Sequence, residues 1–318
     1  MTGGELLVTA LVDVLVGDPH WLPHPVRVMG SGIAWYDQGI RRICRSAISL
    51  RLAGICLAIG LPIVIFTITL ILIEEAERFM ESLGSAVSIV LASMTLATRD
   101  LWDHVRAVEG PLQAGDLPAA RRAVGMIVGR DTAGLSESEV ARATVETVAE
   151  SSADGIIAPL LYLAIGGAPL ALAYKAINTL DSMIGHRNDR YVDLGWASAR
   201  LDDLANWIPA RLAALLLIGG AGLMSRQLEP ILRGWRVLRR DGGKHPSPNS
   251  GRPEAAMAGI LGVRLGGTNF YDGVPQDRPV LGTEGREPEP WDVASAATVM
   301  AMATVLGVFL AVGIRWLM

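Results

Sequence analysis

The stretch LAGICLAIGLPIVIFTITLILI, Leu52 to Ile73, carries no charged side chain over 22 residues. At about 1.5 Å per residue a helix of that length crosses a hydrocarbon core roughly 30 Å thick. A helix also satisfies every backbone N–H and C=O within the segment, which lipid cannot do. VASAATVMAMATVLGVFLAVGI, Val293 to Ile314, has the same length and is also free of charge. With 51% hydrophobic residues, 19% charged residues and a positive mean hydropathy, the chain reads as all-α, a multi-pass integral membrane protein.

Four shorter apolar runs lie at 6–16, 86–97, 156–173 and 212–224. The first contains Asp13, and the third is interrupted by Gly166, Gly167 and Pro169. Each fits a tilted or re-entrant membrane helix, or a helix buried against others. The first is not a cleavable signal peptide, because it lacks a basic leader and Asp13 breaks its apolar core. The expected organisation is a single membrane-embedded domain over 1–318, with soluble helix over 103–155 and a polar loop region over 225–292.

Basic residues set the expected orientation. The connector from Glu74 to Gly84 holds one, Arg78, whereas 225–292 holds ten. The positive-inside tendency puts the former outside and the larger polar segments in the cytoplasm, in a cell (cytoplasmic) membrane. Ten basic residues could also meet anionic membrane lipid, but they are mixed with acids and prolines, which makes that the weaker reading. Cys44 and Cys56 form no CxxC pattern and imply neither a disulfide framework nor zinc.

The polar residues between the apolar runs need an explanation. From Asn178 to Leu212 stand five aspartates and four arginines. Asp202 and Asp203 precede Asn206 by three to four residues, flanked by Arg200 and Arg211, and Lys175, Asn178 and Asp181 share a helical face. Carboxylates with an amide can hold Mg²⁺ while leaving room for water and phosphate oxygens, and arginine forks suit phosphate. A salt-bridge network would use the same side chains. Glu146, Glu150 and Asp154 recur at intervals of four, one acidic line that is either a solvated face or a cation site. Near the N-terminus, Pro19, Pro23 and Pro25 fix an extended segment displaying Asp18, His20, His24 and Arg27, or simply a rigid turn. No GxxxxGK[ST], GxGxxG or HExxH occurs, and GGKHPSPNSG lacks the spacing of a phosphate loop.

The blocks DVLVGDPHWLPHPVRVMG, GRDTAGLSESEVARATVETVAESSADGIIAPLLY, YKAINTLDSMIGHRNDRYVDLGWASARLDDLANWIPARL and HPSPNSGRPEAAMAGILGVRLGG cover almost the whole chain. In this order they resemble the adenosylcobinamide-phosphate synthases of cobalamin biosynthesis, the CobD/CbiB family. The chain departs from the pattern at Ser151, where asparagine is expected, and at His186, where tyrosine is usual.

The resemblance implies a membrane enzyme, an ATP-dependent carbon–nitrogen ligase. It would join (R)-1-amino-2-propanol or its O-phosphate to the propionate carboxyl of adenosylcobyric acid, a corrinoid, with ATP and Mg²⁺ and no nucleic acid partner. The residues to which this chemistry is assigned are Asp18, His24, Glu146, Glu150 and Asp181 for acid, base and reacting-group work. Lys175, Asn178, Arg200, Arg211, Ser247 and Asn249 are assigned to substrate and phosphate, and Asp202, Asp203 and Asn206 to metal. Two other readings use similar residues: a Mg²⁺-dependent membrane prenyltransferase, loosely imitated by NTLDS and DDLAN, and a noncatalytic membrane transporter with a helix broken at IGGAP.

Overall fold

The computed structural model describes residues 1–18, 24–186, 188–224 and 227–318. The expected rigid turn with His20 and its prolines Pro19 and Pro23 lies outside them. Helices α1 (Gly3–Val16), α2 (Pro25–Ile43), α3 (Ala47–Phe79), α4 (Glu81–Ser93), α5 (Thr98–Gln113), α6 (Leu117–Val124) and α7 (Glu137–Ser151) run to a π-helical turn at Ser152–Ile157. Then come α8 (Ala158–Ile184), α9 (Trp196–Ala205), α10 (Trp207–Met224), α11 (Glu229–Asp241), α12 (Gly251–Leu261), strands β1 (Leu265–Tyr271) and β2 (Val274–Leu281), and α13 (Pro290–Leu317). Among the described residues the one sheet is this two-stranded hairpin. Among the described residues five helices are long and apolar enough to cross a membrane, within 47–79, 81–113, 137–184, 207–224 and 290–317. The fold is an all-α multi-pass membrane protein.

The contacts group the residues into two compact units, the first comprising 1–97, 159–206 and 310–318, the second 98–158 and 207–309. In the first unit α3 extends about 50 Å. Only 17% of its most apolar window is buried, and Ile59, Ile63, Ile68 and Ile71 face outward. An apolar surface of that extent is stable against lipid and not against water. Where helices and loops do meet, small residues permit it: a Cβ on Gly54 would come within 2.0 Å of the Leu194 carbonyl oxygen.

The chain reverses inside α8. Gly167 has φ 65° and ψ −163°, which only glycine adopts readily, and Pro169 restarts the helix. Tyr162 and Tyr174 stack with ring centroids 4.8 Å apart, although twelve residues of straight helix would separate them by about 18 Å. The run 156–173 therefore contributes to a helical hairpin. Its tip faces Met1, since a Cβ on Gly167 would lie 3.7 Å from the Met1 Cβ. The Met1 carbonyl in turn accepts from Arg315 Nε at 2.5 Å. At the far end of the hairpin, buried Asp37 takes Arg41 at 2.6 Å and Arg190 at 2.7 Å. The first unit thus has an end carrying both termini and the hairpin tip, and an end carrying the charged residues of α2 and 185–196.

In the second unit the segment expected as a polar loop, 225–292, holds α11, α12 and the β-hairpin. Some of its glycines and prolines mark where elements start, end or turn. Pro230 sits in the first turn of α11, Gly262 ends α12 in the left-handed conformation, and Asp272–Gly273 form the positive-φ pair of a tight hairpin turn. Buried Asp241, at the end of α11, accepts from Arg240, from Lys244 Nζ at 2.7 Å and from the Gly282 N–H at 2.9 Å, which pins β2 to the helix. These donors, Arg240 first, hold its carboxyl well below the usual carboxylate range.

Candidate active site

The second unit gathers three glutamates and three arginines around α7, α12 and the β-hairpin. Glu146 is buried on α7, and one of its oxygens accepts the Gly266 N–H at 2.7 Å while the other pairs with Arg130. Arg130 reaches across to Asn269 Oδ1 at 2.6 Å, and Arg142 adds a second donor to that oxygen at 3.1 Å. The register slips between Leu265 and Gly267, which turns the Gly266 amide toward α7. Gly266 (φ 84°) tolerates no side chain there, because a Cβ would come 2.2 Å from the Pro279 carbonyl oxygen.

One turn further along α7, Glu150 Oε1 accepts from Ser250 Oγ at 2.8 Å. Ser250 closes a compact turn in which Ser247 Oγ accepts the N–H groups of Asn249 and Ser250, each at 3.2 Å, and His245 Nδ1 accepts that of Ser247 at 3.0 Å. The turn therefore sets Ser250 against Glu150 and includes Ser247 and buried Asn249. Burial holds His245 below its ordinary value, and Arg278, whose Nη1 lies 3.4 Å from His245 Nε2, adds to the shift.

Glu254 faces this group from α12 and is 3% exposed. Burial raises its carboxyl well above the ordinary range, and Glu150 and Glu146 push in the same direction against Arg278 and Arg130. The arrangement is a carboxyl cluster, buried at Glu146 and Glu254 and exposed at Glu150, beside guanidinium groups and a histidine. Arg211 stacks over Trp207 at 4.0 Å.

The first unit holds the remaining assigned residues. Asp202 Oδ1 accepts from Asn206 Nδ2 at 2.9 Å and lies 3.5 Å from Asn178 Nδ2, while Asn206 Oδ1 accepts from the Tyr174 hydroxyl at 2.8 Å. Asp203 lies 3.8 Å from Arg200, in a pair whose arginine is exposed and whose aspartate is half-buried. Lys175 and Asp181 lie on the returning arm of α8 with Asn178. His24 caps α2, accepting the Val26 N–H, and its Nε2 stands 3.2 Å from Asp18 Oδ1 without the alignment of a hydrogen bond. Among the described residues no three His, Cys, Asp or Glu side chains are placed to hold a metal ion together.

The profile of the family described as CobD/Cbib protein matches residues 6–300. The chain belongs to the CobD/CbiB family. Among its relatives is a "Cobalamin biosynthesis protein CobD" of Geobacter metallireducens, 50% identical over 88% of this chain and 86% of the relative. Another CobD, of Klebsiella pneumoniae, is 44% identical over 97% and 96%. A "Cobalamin biosynthesis protein CbiB" of Salmonella typhimurium is 41% identical over 96% and 95%. No solved structure matches the chain.

Reading the sequence alone misses Arg130, His245, Glu254, Asn269 and Arg278. Glu254 leaves one trace, a lone acid in the small-residue run GRPEAAMAG, where a charge has to be buried with the helix. Asn269 and Arg278 arrive on the β-hairpin, and Arg130 and His245 from the segments before α7 and α12, so no local spacing encodes the group.

Proposed function

We propose that the chain is an ATP-dependent amide synthase of cobalamin biosynthesis, joining aminopropanol or its O-phosphate to the propionate carboxyl of adenosylcobyric acid. Family membership supports the pathway. The observation that carries the chemistry is the cluster of buried Glu146 and Glu254 with exposed Glu150, which Ser250 of the Ser247–Ser250 turn reaches.

A carboxylate does not accept an amine directly, since its charge repels the nucleophile and its oxygen leaves poorly. In the proposed sequence the propionate oxygen attacks the γ-phosphorus of ATP, ADP leaves and an acyl phosphate forms. The amine nitrogen then attacks the acyl carbon, the C–N bond forms, and phosphate departs with the former carboxylate oxygen. Aminopropanol arrives as an ammonium, and Glu150, at the open edge of the cluster, is positioned to take its proton. Burial raises the Glu254 carboxyl well above the ordinary range, which favours its protonated form, a hydrogen-bonding group that adds no charge. Arg211 and Arg252, neither in an ion pair among the described residues, supply cations for phosphate. Mg²⁺ usually takes one or two carboxylates and completes its shell with phosphate oxygens and water, so Glu150 or Asp202 suffices to meet an ion that arrives with the nucleotide. Bound there, the ion would neutralise phosphate charge.

The proposed orientation in the cell (cytoplasmic) membrane places the charged end of the first unit in the cytoplasm. The basic-poor turn Glu74–Gly84, both termini and the hairpin tip would then face outward. The test is to incubate the purified protein with adenosylcobyric acid, Mg²⁺ and either amine, with and without ATP, and to look for the amide by mass spectrometry. An ATP-dependent product is expected; no product from folded protein with either amine sinks the reading.

A further inference from the structure

Helix α11 begins five residues after the membrane-grade helix α10 ends at Met224, so its first turn is tethered near the level where the chain leaves the hydrocarbon. One side of α11 packs on α12 through Gly234, Val237 and Leu238, where a Cβ on Gly234 would meet Ile260 at 3.0 Å. The opposite side is open. Leu228 is 71% exposed, Leu232 56% and Trp235 45%, and at 100° per residue the three fall within an arc of about 60°. Arg239 lies within that arc and Arg236 beside it, both exposed and neither in an ion pair among the described residues. The other basic residues nearby are committed: Arg233 to the Gly259 and Ile260 carbonyls and Glu229, Arg240 to Asp241 and Glu284.

Folding has therefore sorted a segment whose sequence mixes signs into a face of two leucines, a tryptophan and two arginines outside any ion pair among the described residues. Leucine and the indole body suit the acyl boundary, tryptophan favours the headgroup level, and arginines whose stems lie along an apolar surface hold their guanidinium groups among phosphates. The far end of the same polar segment carries a matching mark: Trp291 opens α13 half exposed, with the Arg286 guanidinium 5.1 Å from its ring centre. We infer that the outer face of α11 is an interfacial lipid-binding surface, with Leu228, Leu232 and Trp235 in the acyl boundary and Arg236 and Arg239 on anionic phospholipid headgroups. This surface is separate from the amide chemistry and does not depend on it.

The test uses the full chain in nanodiscs of mixed phosphatidylcholine and phosphatidylglycerol, with bromine placed on the acyl chains of one lipid and then the other. Trp235 is isolated from the other tryptophans by subtracting the emission of Trp235→Phe. Quenching of the Trp235 component is expected, stronger when the anionic lipid carries the bromine. Each arginine near an anionic surface is worth about a factor of five in preference. Arg236→Gln with Arg239→Gln should thus lower the anionic preference by roughly 25-fold, and high salt should weaken it in the parent. Absent quenching overturns the inference, as does equal quenching by both lipids. Shielding of Trp235 by a second copy, seen as a dimer mass with no quenching, also overturns it and assigns the face to self-association.

Discussion

Arg130 and Glu146 form a buried ion pair whose two members are also held by β1, Arg130 through Asn269 and Glu146 through the Gly266 amide. The pair thereby ties the segment before α7, α7 itself and the hairpin into one unit. Removing one partner leaves a desolvated charge, which costs about 3–5 kcal/mol, more than the pair contributes relative to a well-packed apolar substitute. Arg130→Ala should lower stability by that amount and Glu146→Gln by less, while the double variant loses less than the sum of the two. Unfolding of each variant in detergent measures this; an Arg130→Ala cost below about 1 kcal/mol would show that water reaches Glu146.

Glu254 gives stability an unusual pH dependence. Its carboxyl is raised in the folded protein, so above its unfolded value of 4.5 the folded chain holds a proton that the unfolded chain has released. Unfolding then loses protons, and this group's contribution falls as pH rises from the unfolded value toward the folded one. Glu254→Gln mimics the neutral form. It should flatten the fall and make the protein more stable at neutral pH, by about 1 kcal/mol or more. Thermal unfolding of parent and variant from pH 5 to pH 8 reads this directly, and parallel curves would show that Glu254 is ionised in the folded state. Where the parent forms amide, the same variant separates a polar lining role, which keeps turnover, from proton transfer, which does not survive the change.

The difference between what was legible in the sequence and what was not follows the range of the interactions. Leu52–Ile73 and Val293–Ile314 declare themselves because a membrane helix is a local solution: length and lack of charge suffice. Gly166, Gly167 and Pro169 mark the interruption in α8, but that the chain folds back there is a matter of Tyr162 meeting Tyr174. Glu146 and Glu150 stand out by their helical spacing, whereas Arg130, Glu254 and Arg278 join them from three other segments. The DG pair at Asp272–Gly273 was a readable hairpin signal, obscured by the surrounding polar, glycine-rich composition.

The hairpin in α8 depends on Gly167. An L side chain in its conformation is strained by about 1–2 kcal/mol, and straightening the helix would part the stacked tyrosines and their hydrogen bonds to 205–206. Gly167→Ala should lower the unfolding temperature, with Gly167→Val lowering it further. Cysteines placed at 162 and 174 in a variant lacking Cys44 and Cys56 offer an independent check. Bridging by a short bifunctional thiol reagent is expected from a folded-back chain, and its absence would indicate one continuous helix.

Asp202 separates the two roles that its neighbourhood allows. As a structural acceptor it orients Asn206, which in turn fixes the Tyr174 hydroxyl. As a magnesium ligand it needs its negative charge. Asp202→Asn keeps an oxygen where Asn206 donates but removes the charge, so a structural role predicts nearly parental unfolding with an unchanged Mg²⁺ requirement. A ligand role predicts a similar fold with a Mg²⁺ requirement raised at least tenfold, the scale of losing about 1.4 kcal/mol of binding. Asp203, already turned toward Arg200, should shift that requirement little when changed alone. If Asp202→Ala combined with Asp203→Ala retained full amide-forming activity, neither residue would serve the metal, and Glu150 would be left as the carboxylate for the ion.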